Sequence, residues 1–347
     1  MEHGYDPNTG NPVDTPRLQE QFGYAYDKAW NLQFRTNNAM VETFGVNSLN
    51  ELTNFSRSGT LTVGGVATEP SGNAPRNAYP GVSSVTVNGQ AAVVYGDGSF
   101  AAAGLTPADG WNSYTAIAQD NVWPNGRRDT NTVTAYLPAS ASYTYDLNGN
   151  LLSDGRRNFA YDDENQLISV WVANGWSNSF AYDGLLRKRI EKDYAWNGST
   201  WIETNEVHFI YDGYLVLQER YYDPQHPTDI PLDSITYTRG EDLSGTLQGA
   251  GGIGGLLART DMGQWIGNDA NANAYYISDG RGNIIGLVNT NGWRVAHYKY
   301  DPYGNLLVES GPLAGANKYR FSSKEWDSPA GFTTTSTAST IPICNGG

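Results

Sequence analysis

Many short stretches of the chain alternate apolar and polar residues with a period of two, as half-buried β-strands do. The clearest is YKYDPYGNLLVES at residues 298–310, where alternating aromatic residues precede a turn and an apolar pair follows it. Gly or Asn in the turn supplies the positive φ of a tight hairpin, and the Asp after Tyr can accept hydrogen bonds from turn amides. Each stretch therefore predicts a β-hairpin whose Tyr, such as Tyr145 or Tyr300, lays its ring on the sheet and keeps its hydroxyl in water.

The same pattern recurs along the chain. It returns as YTYDLNGNLLSD at 143–154 and more weakly at 24–35, 159–170 and 180–191, and the chain has eight Tyr-Asp pairs in all. Repeats at such spacing stack, because each buries the face that its neighbour exposes. The residues predicted to build the repeat are Tyr26, Asp27, Tyr145, Asp146, Gly149, Asn150, Tyr161, Asp162, Tyr182, Asp183, Tyr211, Asp212, Asp279, Gly282, Asn283, Tyr300, Asp301, Gly304 and Asn305.

These patterns predict an all-β protein. Residues 143–331 are expected to form one continuous antiparallel sheet, with hairpin turns at Asn148-Gly149, Asn174-Gly175, Asn197-Gly198 and Asn291-Gly292.

The Tyr-Asp pattern disappears between residues 58 and 137. Short alternating strands replace it, with turn signals at Asn88-Gly89 and Asp97-Gly98 and a Pro- and Gly-rich loop at 69–81. This number of strands in this length predicts a small β-sandwich, and the sequence loosely resembles bacterial immunoglobulin-like modules. We expect it to fold as a separate unit on the outside of the repeat array and to act as a spacer rather than as a ligand-binding module.

The repeat and two further stretches resemble the YD-repeat (Rhs) family. Residues 239–260 are similar to the glycine-rich segment that precedes that family's repeat-associated core, residues 275–307 are similar to the core itself, and NKYRFSSKEWD at 317–327 continues it. On this resemblance the expected division is YD repeats at 1–57, the insert at 58–137, YD repeats at 138–238, a truncated core at 239–331 and a tail at 332–347.

The resemblance implies a long antiparallel sheet that spirals into a hollow shell. In bacterial relatives the shell encloses a C-terminal toxin, and in the animal relatives, the teneurins, a similar barrel serves adhesion. The expected function is therefore a non-catalytic structural segment of a secreted or cell-surface protein, with a C-terminal toxin cargo as its partner in the intact protein. The family's self-cleaving region lies beyond the core strand that is missing here, so no catalytic residue is carried over.

Composition and charge exclude several other classes. The chain has 347 residues, with 22 basic and 36 acidic residues and a net charge of -14, whereas proteins that bind nucleic acid or anionic membranes need a basic surface. A single cysteine, Cys344, excludes a disulfide framework. No apolar stretch is long enough to span a membrane, and the N-terminus is not a signal peptide. Because the repeats have already begun at Tyr5, the chain is expected to be a fragment of a longer protein.

Candidate chemistry in the sequence is weak. Residues 249–254 match G-x-G-x-x-G, but the preceding stretch is polar, the following one is too short for a βαβ unit, and the acidic Asp279 lies in a turn of the repeat. Glycines at a close backbone approach are the better interpretation, and no cofactor is expected. The histidines lack metal-ligand spacing. Acidic residues such as Asp162-Asp163-Glu164 lie in turns and are better explained as turn caps than as a glycosidase pair. We therefore do not expect an enzyme.

Four tryptophans at two predicted hairpins leave a second interpretation open. Exposed and coplanar, they would form a platform for a cell-surface glycan and favour a carbohydrate-binding or adhesive module, whereas cross-strand pairing is the favoured explanation. The residues are Trp171, Trp176, Trp196 and Trp201.

The C-terminal tail differs from the rest of the chain. After Phe332, a shift of two bases in the codons permits YYYLYRFYDPNLQRW, which resembles the family's next strand. We therefore expect frameshifted sequence there, with residues 333–347 packing on nothing and an open sheet edge beside residues 317–327.

Overall fold

A computed structural model describes residues 17–67, 82–120, 126–225, 230–267, 269–327 and 332–334. The described residues form an all-β protein built mainly from antiparallel strands. The chain divides between Tyr143 and Thr144 into two compact units.

The first unit contains a short 3-10 turn, Leu18–Glu20, and twelve strands. In chain order these are β1 (Phe22–Tyr26), β2 (Leu32–Asn37), β3 (Met40–Val46), β4 (Leu52–Gly59), β5 (Leu61–Val66), β6 (Val82–Val87), β7 (Gln90–Ala91), β8 (Val93–Val94), β9 (Ser99–Leu105), β10 (Gly110–Asp120), β11 (Arg128–Leu137) and β12 (Ser140–Ser142). Strands β1 to β4 pair in chain order, and β12 adds to β4 as a fifth strand.

Strands β5 to β11 form two sheets, in the orders β5-β9-β8 and β11-β10-β6-β7. Side chains from both sheets share one hydrophobic core, which accounts for a two-layer insert with alternating apolar positions. The predicted turn at Asn88-Gly89 is confirmed, since both residues have positive φ between β6 and β7. The predicted loop at 69–81 lies outside the described residues. The buried core residues are Val85, Val87, Phe100, Ala102, Leu105, Tyr114 and Leu137.

The insert is more closely joined to the first repeats than the sequence indicated. The predicted boundary at residue 58 falls inside β4, and the guanidinium of Arg57 donates hydrogen bonds to the carbonyls of Ala108 at 2.7 Å, Leu137 at 2.7 Å and Pro138 at 2.9 Å. These contacts tie β4 to one end of the β10–β11 pair, where β10 begins and β11 ends. The first repeats and the insert therefore belong to one compact unit.

The second unit is dominated by one sheet of fourteen strands that pair in chain order, each antiparallel to the next. A short helix, α1 (Met262–Ile266), lies between its tenth and eleventh strands. The strands are β13 (Thr144–Tyr145), β14 (Leu151–Ser153), β15 (Asn158–Tyr161), β16 (Leu167–Trp171), β17 (Trp176–Tyr182), β18 (Lys188–Trp196), β19 (Trp201–Asp212), β20 (Leu215–Tyr222), β21 (Asp233–Arg239), β22 (Leu256–Asp261), β23 (Asn273–Ser278), β24 (Ile284–Asn289), β25 (Arg294–Tyr300) and β26 (Leu306–Ser310).

The predicted continuous sheet is confirmed from Thr144 to Ser310. Its four predicted hairpin turns are also present, with positive φ at Gly149, Asn174, Gly198 and Gly292. The sheet passes residue 239 without a break, so the repeats and the core-like region form one structure.

Beyond Ser310 the prediction of a continuing sheet is wrong. The chain leaves the sheet, makes a 3-10 turn at Phe321–Ser323, and forms a separate pair of strands, β27 (Glu325–Asp327) and β28 (Phe332–Thr334). Thr333 stands opposite Trp326 in this pair. The prediction that residues 333–347 pack on nothing is therefore wrong for Thr333 and Thr334, and the rest of it lies outside the described residues.

Candidate functional site

The Tyr-Asp turns share one hydrogen-bond arrangement, which is clearest at Asp301. One carboxylate oxygen of Asp301 accepts the backbone N–H groups of Tyr303 at 2.8 Å and Asn305 at 2.9 Å, and the other accepts the side-chain amide of Asn305 at 2.7 Å. Gly304 has a φ of 84°, which returns the chain into the next strand. A single carboxylate thus accepts three N–H groups of the turn.

The same arrangement repeats in both units. Asp27, Asp146, Asp162, Asp183 and Asp279 each accept the N–H groups two and four residues later, at 2.8 to 3.1 Å. The side-chain amide of Asn150 holds the pKa of Asp146 below its usual value, and Arg187 does the same for Asp183. The interpretation of Asp162 as a turn cap is confirmed.

Two asparagines take the place of the aspartate and were missed in the sequence. Asn47 accepts the N–H groups of Leu49 and Glu51, and Asn289 accepts those of Asn291 and Trp293. Neither follows a tyrosine, so only the four-residue spacing of the turn could have indicated them. Asp212 departs from the arrangement, because its turn is shorter and places it directly opposite Leu215.

Three tyrosine hydroxyls of the repeat link a hairpin to the one before it. Tyr182 donates to the carbonyl of Leu167 at 2.8 Å, Tyr211 to that of Lys188 at 2.6 Å, and Tyr300 to that of Ile284 at 2.8 Å. Each accepting residue begins the return strand of the preceding hairpin. The prediction that the Tyr300 hydroxyl stays in water is therefore wrong.

The tyrosine side chains of the repeat in the second unit are half-buried. Burial raises the pKa of the Tyr161 and Tyr182 hydroxyls to about 12 and raises the pKa of the Tyr300 hydroxyl further. Tyr145 is half-buried, whereas Tyr26 in the first unit is 43% exposed.

Residues 313–326, here called the C-terminal strap, lie against one face of the fourteen-stranded sheet. Tyr319 packs in a core cluster with Val207 and Phe209, and Asn317 is 1% exposed. The side-chain oxygen of Asn317 accepts a hydrogen bond from the Tyr276 hydroxyl at 2.8 Å, and its side-chain N–H donates to the backbone carbonyl of Tyr319, also in the strap, at 2.6 Å. The strap therefore buries several of its side chains against the sheet although it does not join it.

A buried ion pair holds the middle of the strap. Lys318 lies 3.1 Å from the carboxylate of Glu219, whose side chain is fully buried. The hydroxyls of Tyr221 and Tyr237 donate to the same carboxylate at 2.5 and 2.9 Å. Burial by itself would raise the pKa of Glu219, but the charge of Lys318 and the two hydroxyls outweigh it, so the pKa is lowered. Glu219 is thus a negative group on the sheet that the strap neutralises.

Two further ion pairs extend this complementarity along the strap. Arg320 lies 2.9 Å from Glu309 on β26, and Glu325 lies 3.1 Å from Lys188 on β18. Lys188 also pairs with Glu191 on its own strand at 2.6 Å. The strap therefore supplies both positive and negative partners to charges that the sheet presents.

The glycine-rich segment folds around a carboxylate of its own chain rather than around a phosphate. Asp242 accepts the N–H groups of Ala250 at 2.7 Å and Gly252 at 3.0 Å. Gly252 has a φ of 76°, a left-handed conformation that favours glycine, and a Cβ there would also lie 2.4 Å from a methyl carbon of Leu215. Burial opposes the ionisation of Asp242, but bonds from Ser244 and these amides lower its pKa to about 2.

Of the tryptophans at the two hairpins, Trp196 and Trp201 pack against each other across strands. Trp196 and Trp201 stand opposite each other with ring centroids 5.2 Å apart and an interplanar angle of 64°. Trp171 and Trp176 are half-buried. Since the first pair is not coplanar, the geometry fits cross-strand pairing and gives the sugar platform no support.

Within the described ranges, no three His, Cys, Asp or Glu side chains are grouped so as to hold a metal ion. His208 lies 2.6 Å from Glu206, and His3 and His226 lie outside those ranges. The described part of the chain also contains no helix long and apolar enough to cross a bilayer.

Comparison with known proteins gives partial similarities. No family model matches the chain. Over 196 residues, 55% of this chain, it is 28% identical to the tRNA3(Ser)-specific nuclease WapA of Bacillus spizizenii, of which the match covers 7%.

Two solved structures are similar over nearly the whole chain. The match to the crystal structure of TcdB2-TccC3-Cdc42 covers 96% of this chain and 16% of the matched chain, with a TM-score of 0.40 and 14% sequence identity. The match to the Photorhabdus luminescens Tc holotoxin pore with the mutation TccC3-D651A covers 96% of this chain and 16% of the matched chain, with a TM-score of 0.43 and 14% sequence identity. The chain thus spans less than a fifth of the length of each of these proteins.

Proposed function

We propose that this chain is a non-catalytic structural segment of a β-shell that encloses and delivers a C-terminal toxin cargo. One observation carries the proposal: a sheet face of the second unit holds residues 313–326, a stretch of the same chain outside the sheet, by ion pairs and tyrosine hydroxyls. A surface that binds polypeptide through dispersed polar contacts suits a cargo held in an extended or partly unfolded form. The intact protein would act after secretion or at the cell surface.

The partial similarities are compatible with this role. The relative with 28% identity is a nuclease, and this chain aligns with only 7% of its length. We therefore assign the aligned region a structural role. The repeated turn caps serve such a role, because they make each hairpin a self-contained unit that can be added to the sheet.

Protease protection tests the proposal. An unfolded polypeptide fused after Gly347 should be digested several-fold more slowly than the same polypeptide fused before Met1, which is the matched control. Equal digestion rates at the two ends would contradict a role in shielding cargo.

A nuclease assay tests the non-catalytic part. Purified chain incubated with tRNA, with and without divalent cations, should leave the tRNA intact. Cleavage that survives a further purification step would assign catalysis to this chain and overturn the proposal.

A further inference from the structure

Strand β11 forms an unprotected edge of the insert. It pairs with β10 over ten residues without a bulge, and in the described part of the chain no strand pairs with its other side. Its first seven residues are exposed. Natural edge strands are usually protected by bulges, prolines or lysines, and RDTNTVTAYL has none of these.

The backbone of the neighbouring strand shows which groups of β11 point outward. Thr115 on β10 directs its N–H to the side chain of Asn88 at 2.8 Å and its carbonyl to the N–H of Asn88 at 2.9 Å, both away from β11. Thr132 stands opposite Thr115, so its own N–H and carbonyl face the open side, and by alternation so do those of Thr134. Within the described residues no strand bonds to these groups, which suits pairing with a further strand.

Val133, between these two threonines, provides an apolar contact. Its side chain lies on the same face of β11 as Ala135 and Leu137, which pack in the insert core. Val133 is nevertheless 57% exposed. The apolar face of β11 therefore extends past the region that the rest of the insert covers.

We propose that β11 pairs with β11 of a second copy of this chain, antiparallel about a two-fold axis at Val133. In this register Thr132 of one copy stands opposite Thr134 of the other, and both pairs exchange backbone hydrogen bonds. Val133 packs against Val133, and Asp129 faces Leu137, so no like charges are opposed. The two four-stranded sheets become one sheet of eight strands.

The association is weak and depends on salt. A single pair of edge strands buries less surface than a stable dimer interface. Each copy also carries a net charge of -14, and the resulting repulsion is screened as ionic strength rises. The dimer fraction therefore increases with both protein concentration and salt.

Disulfide cross-linking tests the register. With Cys344→Ser as background, Val133→Cys places two cysteines directly opposite each other, whereas Thr132→Cys places them diagonally and too far apart to be bridged. Mild oxidation should give a covalent dimer of the Val133→Cys chain and leave the Thr132→Cys chain monomeric. Cross-linking of both variants, of neither, or of Thr132→Cys alone would overturn the proposed pairing.

Sedimentation tests the association itself. Thr134→Pro removes an outward N–H without removing a bond to β10, and Val133→Lys places two positive charges at the two-fold axis on an exposed position that tolerates them. Both variants should stay monomeric while the unchanged protein dimerises at high concentration and salt, and circular dichroism should show that Val133→Lys remains folded. An unchanged protein that is monomeric under all these conditions, or a folded Val133→Lys chain that dimerises equally, would refute the proposal.

Discussion

The ion pair between Lys318 of the strap and Glu219 of β20 allows a quantitative prediction. Replacing Lys318 by Met keeps the apolar stem but leaves a fully buried carboxylate without its cation, which lies 3.1 Å away in the native protein. Breaking a buried pair costs about 3–5 kcal/mol. Because Lys318 is 26% exposed and the hydroxyls of Tyr221 and Tyr237 remain bonded to Glu219, we expect a loss of about 3 kcal/mol, at the low end of that range.

A double-mutant cycle measures the pair itself. Glu219→Gln alone removes the negative partner, and the double variant replaces both charges by neutral groups of similar size. We expect the double variant to be more stable than the sum of the two single losses by about 0.5–3 kcal/mol, the range found for residues in direct contact. Urea unfolding followed by tryptophan fluorescence and circular dichroism gives each free energy. Additive losses, or a Lys318→Met chain as stable as the unchanged protein, would refute the reasoning.

The pH dependence gives an independent readout of the same pair. The pKa of Glu219 is lowered by folding, so its contribution is complete above its unfolded pKa of about 4.3 and is lost as pH falls through the folded value. The pKa of Lys318 is raised because the attraction of Glu219 outweighs the effect of burial, so its contribution is lost only as pH rises through that raised value. Stability should therefore fall on the acid side below about pH 4.3, and this fall should be smaller in the Lys318→Met chain.

Three further substitutions and one control substitution test the repeat. Asp162→Ala removes the acceptor of two turn amides and should cost about 1–2 kcal/mol, whereas the adjacent exposed Asp163→Ala should change stability by less than about 0.5 kcal/mol. Leu186→Gly should stabilise the protein by about 0.5–1 kcal/mol, because Leu186 has a φ of 62° and relief of that strain exceeds the entropy cost of glycine. Tyr211→Phe should cost about 1 kcal/mol by removing the bond to the carbonyl of Lys188. Urea unfolding checks all three, and an Asp162→Ala loss no larger than that of Asp163→Ala would show that the turn carboxylate is dispensable.

The hairpins could be predicted from sequence because their determinants are local. A residue such as Asp146 bonds within the next four positions, and Gly149 takes the positive φ that the turn requires. Period-two alternation then places the flanking strands. The tyrosine hydroxyls could not be predicted in the same way, because the partner of Tyr300 is sixteen residues away on another hairpin.

The contacts of the strap could not be predicted from local sequence patterns. NKYRFSSKEWD has aromatic residues and charges that would suit a further strand, and its actual partners, such as Glu219 for Lys318 and Lys188 for Glu325, lie about 100 residues or more earlier in the chain. Nothing in the spacing of those residues indicates the pairing. The Asp242 turn was missed for a related reason, since the G-x-G-x-x-G pattern drew attention to a possible ligand instead of to a carboxylate eight residues earlier.

Hydrogen–deuterium exchange over residues 313–326 tests most directly whether the sheet face holds this stretch of chain. The N–H of Leu313 donates to the carbonyl of Val295 on β25 at 2.9 Å, and the N–H of Trp326 donates to the carbonyl of Lys318 within the strap at 2.7 Å. The account predicts that peptides covering the strap exchange as slowly as those of β23 to β25. Exchange at the rate of a free peptide, while those strands remain protected, would show that the strap is not docked and would contradict the proposal that this face holds polypeptide.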